Sequence, residues 1–241
     1  MSLTDAPTLQ PLYSQVRDII VRRIIGGVWR PGQALPSEQA LAAELGVSQG
    51  TVRKALNEMT AENLLVRHHG KGTFVAEHTQ QSALFRFFRI AGRDGRMVTP
   101  EWGGETIAQR LSRAPDREKL GLGPGSRVIE MMRTRSVGGK PAIREKIVLP
   151  SSLFPDIEKR APLPNTLYAL YQTAYGVNIV TAHEMLTAEP AGPDDSRELG
   201  VEEGSPLLCV DRVAVSLENR KVEWRVSRFS TSDLLYAVTI R

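Results

Sequence analysis

The stretch "PSEQALAAELGVSQGTVRKALNEMTAENLLVRHHGKGTF", residues 36 to 74, constrains the fold more than any other, because about three residues separate two segments of helical apolar period. Leu41 and Leu45 form the first stripe, Gly46 supplies a left-handed stop, Val47 turns inward, and Ser48 is placed to cap the next helix. So short a connection crosses two helices steeply, as in a helix-turn-helix. Upstream, Leu12, Val16, Ile19, Ile20 and Ile24 fall on one face of a helix expected over 12–25, which Gly26-Gly27 ends. Pro31-Gly32 then forces a turn that leads to Ser37, the cap of a helix beginning at Glu38.

The third helix, expected over about 49–62, buries Val52, Ala55, Leu56 and Met59 and leaves Gln49, Gly50, Arg53, Lys54 and Asn57 on an open face. That face is polar, cationic and small at its start. A helix that enters the major groove end-on needs this, since it must bring donors to base edges without a bulky residue blocking the approach. Behind it, "LLVRHHGKGTFV" alternates as two strands around a glycine-rich turn, a wing tipped by His69, Gly70 and Lys71. An ordinary three-helix domain with solvated polar faces is the alternative, and the wing weighs against it.

Composition leaves room for a second domain, because 241 residues with 41% hydrophobic and 6% aromatic content suit two modest cores. No apolar run approaches the 18 or so residues of a membrane span, and "MSLTDAPTLQPLY" lacks the blocks of a signal peptide, so a cytoplasmic protein is expected. The single cysteine, Cys209, lies in the apolar run "PLLCVDRVAV" and reads as a buried side chain, and the four histidines show no metal-ligand spacing. No cofactor is expected. Net charge is +4, and residues 1 to 78 hold 8 Lys/Arg against 7 Asp/Glu, so any DNA contact must come from where cations sit and not from their total.

After a polar linker, "AEHTQQSA", a second domain is expected to begin near Leu84 with "LFRFFRI". Within it, "EKLGLGPGSRVIEMMRTR" (118 to 135) echoes "RELGVEEGSPLLCVDRVA" (197 to 214) at a constant offset of 79. In both copies a short helix ends at a glycine, a tight turn follows, and an apolar strand leads into a hairpin. The expectation is an α+β domain: an antiparallel sheet of about six strands with helices packed on it.

Alternation along these strands places charge on an apolar face. Arg133 and Arg135 share a face with Ile129 and Met131, and Glu145 shares one with Ile143, Ile147 and Leu149. Buried unpaired charge costs several kcal/mol, so these groups need partners, either each other or a ligand. Two arginines to one carboxylate suggest a cationic surplus facing "LPNTLYALYQTAYG", where Asn165 and Thr166 stand at the start of a helix whose N-H groups could help clamp an anion. A simply capped helix is the other reading.

The stretches "PLYSQV", "PGQALPSE", "LAAELGVS", "TVRKAL" and "GKGTFV" make residues 11 to 76 resemble the winged helix-turn-helix of the GntR family of bacterial transcription regulators. The resemblance implies DNA contacts from Thr51 and Arg53 and from His69, Gly70 and Lys71 at the wing. With the open-face and turn residues Gln39, Ser48, Gln49, Gly50 and Lys54, these make up the candidate DNA-binding set. The family's usual arginines after "PSE" and "GVS" are here Gln39 and Gln49, and glutamine prefers adenine where arginine reads guanine. "PGSRVIEMMRTR", "GGKPAIREKIVLP", "NTLYALYQTAYG" and "VEWRVS" further resemble the UTRA domain, the chorismate-lyase-like effector module of the family's HutC branch. That likeness implies a small effector, often a phosphosugar or carboxylate, held by Arg133, Arg135, Glu145, Thr166 and Glu223. Tyr236 joins the set beside "STSDLLY", which departs from the arginine-rich ending of many relatives.

The expected organisation is therefore a winged helix-turn-helix over 1–76, a linker over 77–83 and an effector-binding and dimerisation domain over 84–241. Two functions fit. One is an effector-controlled regulator, a repressor, that binds paired half-sites of a double-stranded operator as a homodimer, because one recognition helix reads too few base pairs for a genomic address. The other is a lyase-like enzyme built on the second domain.

Overall fold

The computed structural model describes residues 10–77 and 88–239. The chain divides into two compact units that meet between Glu77 and His78. Residues 78–83 of the expected linker and the expected domain start at Leu84 lie outside the described residues.

The first unit is built of α1 (Leu12–Ile25), α2 (Glu38–Leu45), α3 (Gln49–Ala61) and the antiparallel hairpin β1 (Leu65–His68) and β2 (Gly72–Val75). Local chemistry sets its boundaries. Ser37 accepts a hydrogen bond from the amide of Ala40, Ser48 accepts one from Thr51, and Gly46 closes α2 in the left-handed region at φ 64°. Val16, Ile20, Leu41, Val52, Leu56 and Met59 are fully buried, whereas Leu12, expected on the same stripe, stays exposed, and burial on α1 begins a turn later at Val16. The "PGQAL" turn also docks on the wing: Leu35 donates to the Thr73 carbonyl at 2.8 Å and Val75 to the Gln33 carbonyl at 2.9 Å. The hairpin is thus tied to the entry of the helix-turn-helix.

The second unit carries β3 (Ile90–Gly92), β4 (Glu101–Leu111), α4 (Ala114–Leu120), β5 (Arg127–Val137), β6 (Lys140–Pro150), a 3-10 turn at Ile157–Arg160 and α5 (Leu167–Tyr175). There follow β7 (Ile179–Pro190), α6 (Pro193–Leu199), β8 (Pro206–Ser216), β9 (Lys221–Ser230) and β10 (Leu234–Tyr236). Six strands form one antiparallel sheet in the order β4-β5-β6-β9-β8-β7, and β3 pairs with β10 in a small second sheet. The 79-residue echo is architectural. Helices α4 and α6 and strands β5 and β8 correspond residue for residue, and Gly121 and Gly200 both sit at φ 68°. Asp116 and Asp195, also 79 apart, cap the two helices by accepting from the amides of Arg113 and Gly192. The two halves meet at the β6–β9 pair in the middle of the sheet. One face buries Ile129, Met131, Ile147 and Leu149 against Phe154, Leu167, Tyr168 and Tyr171, which places α5 directly over the strands that carry the candidate charges.

Candidate DNA-reading face and effector site

In the first unit the polar face of α3 is open: Ser48, Gln49, Gly50, Arg53 and Lys54 are exposed, as are Gln39 on α2 and His69, Gly70 and Lys71 at the wing tip. Thr51 is half-buried, and its hydroxyl bonds to the Ser48 hydroxyl at 2.9 Å. Lys54 packs on the ring of Tyr13 in α1, 3.8 Å from the ring centre, which holds it beside α1. Arg53 is the exposed cation one turn into the helix, where it can reach a phosphate or a base edge. Its Nε donates to Glu38 at 2.9 Å. Glu38 also receives Arg67 of the wing at 3.0 Å and Gln49 at 3.4 Å, contacts that the helical and strand periods gave no means of anticipating.

In the second unit, charged residues alternate with apolar ones on one face across the whole sheet. Register sets Arg133 between Glu105 on β4 and Glu145 on β6, and sets Arg212 beside Glu184 on β7. Glu105–Arg133 and Glu184–Arg212 are the same pair in the two halves, each residue shifted by 79. Arg133 Nε lies 3.2 Å from Glu105, Arg135 Nε 2.7 Å from Glu145, and Arg225 pairs with Glu145 at 3.2 Å and Glu223 at 2.9 Å. The expected surplus of arginine is therefore corrected: Arg133, Arg135, Arg212 and Arg225 face four carboxylates, those of Glu105, Glu145, Glu184 and Glu223. The count of two to one failed because the balancing groups come from other strands. Arg225 was nonetheless readable, since it shares the face of Glu223 and Phe229 on β9.

Electrostatics follow the geometry. Burial pushes the Glu145 carboxyl up, but Arg135 and Arg225 outweigh it and hold the group well below the usual carboxylate range. Burial and neighbouring Glu223 raise the Tyr168 and Tyr171 hydroxyls, both of which donate to that carboxylate. Among the buried arginines, Arg212 and Arg225 are raised despite burial, whereas Arg133 is lowered, by burial first and by the like charge of Arg135 second.

The six expected effector residues do not share one space. Glu145 and Tyr236 line a cavity of about 20 Å³ with Phe88, Arg89, Arg212 and Arg225, room for one water molecule. The Tyr236 hydroxyl bonds to Glu184, and burial with that bond raises it. Arg133 and Arg135 turn instead towards the segment ahead of α5, where Arg133 Nη2 donates to the Pro164 carbonyl at 3.1 Å and Arg135 Nη1 to the Asn165 side chain at 2.5 Å. Glu223 lies beneath the two tyrosines of α5. Three polar atoms near the start of that helix are buried without a hydrogen-bond partner: Arg133 Nη1, Thr166 Oγ1 and Glu105 Oε2, the last of them 3.2 Å from Arg133 Nε. Thr166 occupies the cap position yet its side chain makes no capping bond. Among the described residues there is no cluster able to hold a metal ion, and no helix is long and apolar enough to cross a membrane.

Residues 12–75 match the family of bacterial regulatory proteins called gntR, and residues 105–234 match the UTRA domain. The chain is a member of the GntR family. It is 33% identical over 204 residues to the histidine utilization repressor of Pseudomonas putida, which covers 84% of this chain and 81% of that protein. A second relative, named "Probable fructoselysine utilization operon transcriptional repressor" in Escherichia coli (strain K12), is 30% identical over 225 residues, covering 92% of this chain and 91% of its own. The crystal structure of PhnF from Mycobacterium smegmatis shares the fold at a TM-score of 0.55 and 17% identity, over 96% of this chain and 99% of that one. The GntR chain is accordingly a DNA-binding transcription regulator whose UTRA domain is its ligand-binding effector domain, of the HutC type.

Proposed function

We propose that this regulator represses an operon for the use of a nutrient, binds a palindromic operator as a cytoplasmic homodimer, and is controlled by a small metabolite bearing a carboxylate or similar anion. Residues 1–76 read DNA, 77–83 link, and 84–241 bind effector and dimerise. The observation that carries the effector reading is the pair of open donors at the start of α5, Arg133 Nη1 and Thr166 Oγ1. A buried donor without an acceptor costs about 1–3 kcal/mol, and an anion there regains it while also meeting the helix N-terminus. Burial and the like charge of Arg135 both disfavour the charged Arg133 guanidinium, so an added negative charge stabilises it. Two named repressors of nutrient-utilization operons among the relatives support the operon class.

The effector is bound without being turned over. Glu145 is clamped as an anion between two arginines and makes a poor general base. Glu145 and Tyr236 face the separate small cavity, where anything larger than water would displace Phe88–Ile90 or Tyr236. Thermal-shift titration of the full chain with a panel of small carboxylates, phosphosugars and chorismate tests this reading. The expected result is a stabilising acid, no consumption of chorismate, and loss of the shift in Arg133→Ala with operator affinity kept. A folded Arg133→Ala that still answers the acid at the wild-type concentration would place the pocket elsewhere.

A further inference from the structure

Glu38 opens α2 directly behind its cap Ser37, and its carboxylate joins three elements of the DNA-reading unit. Oε2 accepts from Arg53 Nε at 2.9 Å and from Gln49 Nε2 at 3.4 Å, while Oε1 accepts from Arg67 Nη2 at 3.0 Å. Glu38 is the sheltered member, its side chain 20% exposed against 56% for Arg53 and 41% for Arg67. An ionised carboxylate only accepts hydrogen bonds, so the part of the Gln49 amide that faces it must be the NH2 group. Arg53 is held in the same way through its Nε, which leaves its two terminal nitrogens as donors for DNA.

From this geometry we infer that Glu38 sets the base preference of the regulator by fixing which way Gln49 presents its amide. With one N-H held by Glu38, Gln49 offers outward its carbonyl oxygen and its second N-H. That pair matches adenine, whose major-groove edge has the N6 donor beside the N7 acceptor. Guanine presents two acceptors there and leaves the carbonyl oxygen facing another oxygen. A free glutamine could turn over to meet guanine with its NH2 group, and Glu38 prevents the turn. The same carboxylate holds Arg53 with its terminal edge towards the groove and ties the wing strand, through Arg67, to the recognition helix. Glu38 is thus a positioning residue that acts through Gln49 and Arg53, and the inference rests on the reading that these two face DNA.

Selection from random duplex DNA with full-length wild type, Glu38→Gln and Gln49→Ala, followed by titration of the recovered operator and of an unrelated duplex at one salt concentration, tests it. Wild type should recover a half-site with an adenine whose replacement by guanine weakens binding roughly fivefold or more, and that preference should vanish in Gln49→Ala. In Glu38→Gln the preference should collapse to within about twofold, while affinity for the unrelated duplex rises, because a negative charge has left the cationic face. A merely structural role would lower binding to both duplexes together, and that result would overturn the inference, as would a Glu38→Gln that keeps the preference Gln49→Ala has lost. If Gln49→Ala leaves both affinity and preference untouched, the helix face has been misread and the inference falls with it.

Discussion

Arg53 and Arg133 show how differently one side chain type behaves on the two units. Arg53 is exposed, and its ion pair with Glu38 is of the surface kind, worth at most about 1 kcal/mol. Its value lies in what it can reach. Arg53→Ala should therefore leave the protein as stable as wild type while weakening operator binding and lowering the slope of log affinity against log salt by about one, if the contact is to phosphate. Salt-controlled titrations of both proteins measure this, and equal slopes and affinities would remove Arg53 from the interface. Arg133 is 2% exposed and ringed by Glu105, Glu145 and the Pro164 carbonyl, so its removal strands a buried carboxylate as well as opening the proposed site. Stability and effector response must be read separately for that residue.

At the scale of elements, the second unit repeats one device: a helix that stops at a left-handed glycine and turns into a core strand. At Gly121 and Gly200 a Cβ would meet no atom within 4 Å, so space does not require glycine there. The backbone does, since φ is 68° at both and an L side chain is strained in that region. Gly121→Ala and Gly200→Ala should each cost about 1–2 kcal/mol. Asparagine, which tolerates the conformation, should cost less at either position. Chemical denaturation of the four variants checks the order, and an alanine as stable as glycine would mean the turn relaxes. These helices and turns were legible because each is set by residues adjacent in sequence: a capping serine, a stripe at helical spacing, a glycine at the stop. The docking of "PGQAL" on the wing was not, because backbone pairing between distant segments leaves no mark in composition or period.

The molecule as a whole owes its buried polar face to charges that only make sense together. Glu145 has a folded pKa depressed below the usual carboxylate range. A depressed group contributes stability that is fully present above the unfolded value, about 4.5, and is lost as pH falls towards the folded value. Asp116 and Glu130, both bonded to Arg110, are lowered as well and act in the same direction. Thermal unfolding should therefore be nearly independent of pH from 7 down to about 5 and should weaken steeply below about 4.5, by up to about 1.4 kcal/mol per pH unit for each such group. An unchanged melting temperature at pH 3 would show that the ion pairs carry no net stability. By itself the sequence determined the winged helix-turn-helix, the repeat with its helices and core hairpins, and the fact that Arg133, Arg135 and Glu145 lie on an apolar face, because periods of 3.6 and 2 and local caps act over a few residues. Only the tertiary structure decided who neutralises whom: Glu105 for Arg133, Glu184 for Arg212, and Glu145 and Glu223 for Arg225. The partners sit on strands brought side by side by sheet order and register, and a linear pattern carries no record of which strand will be the neighbour.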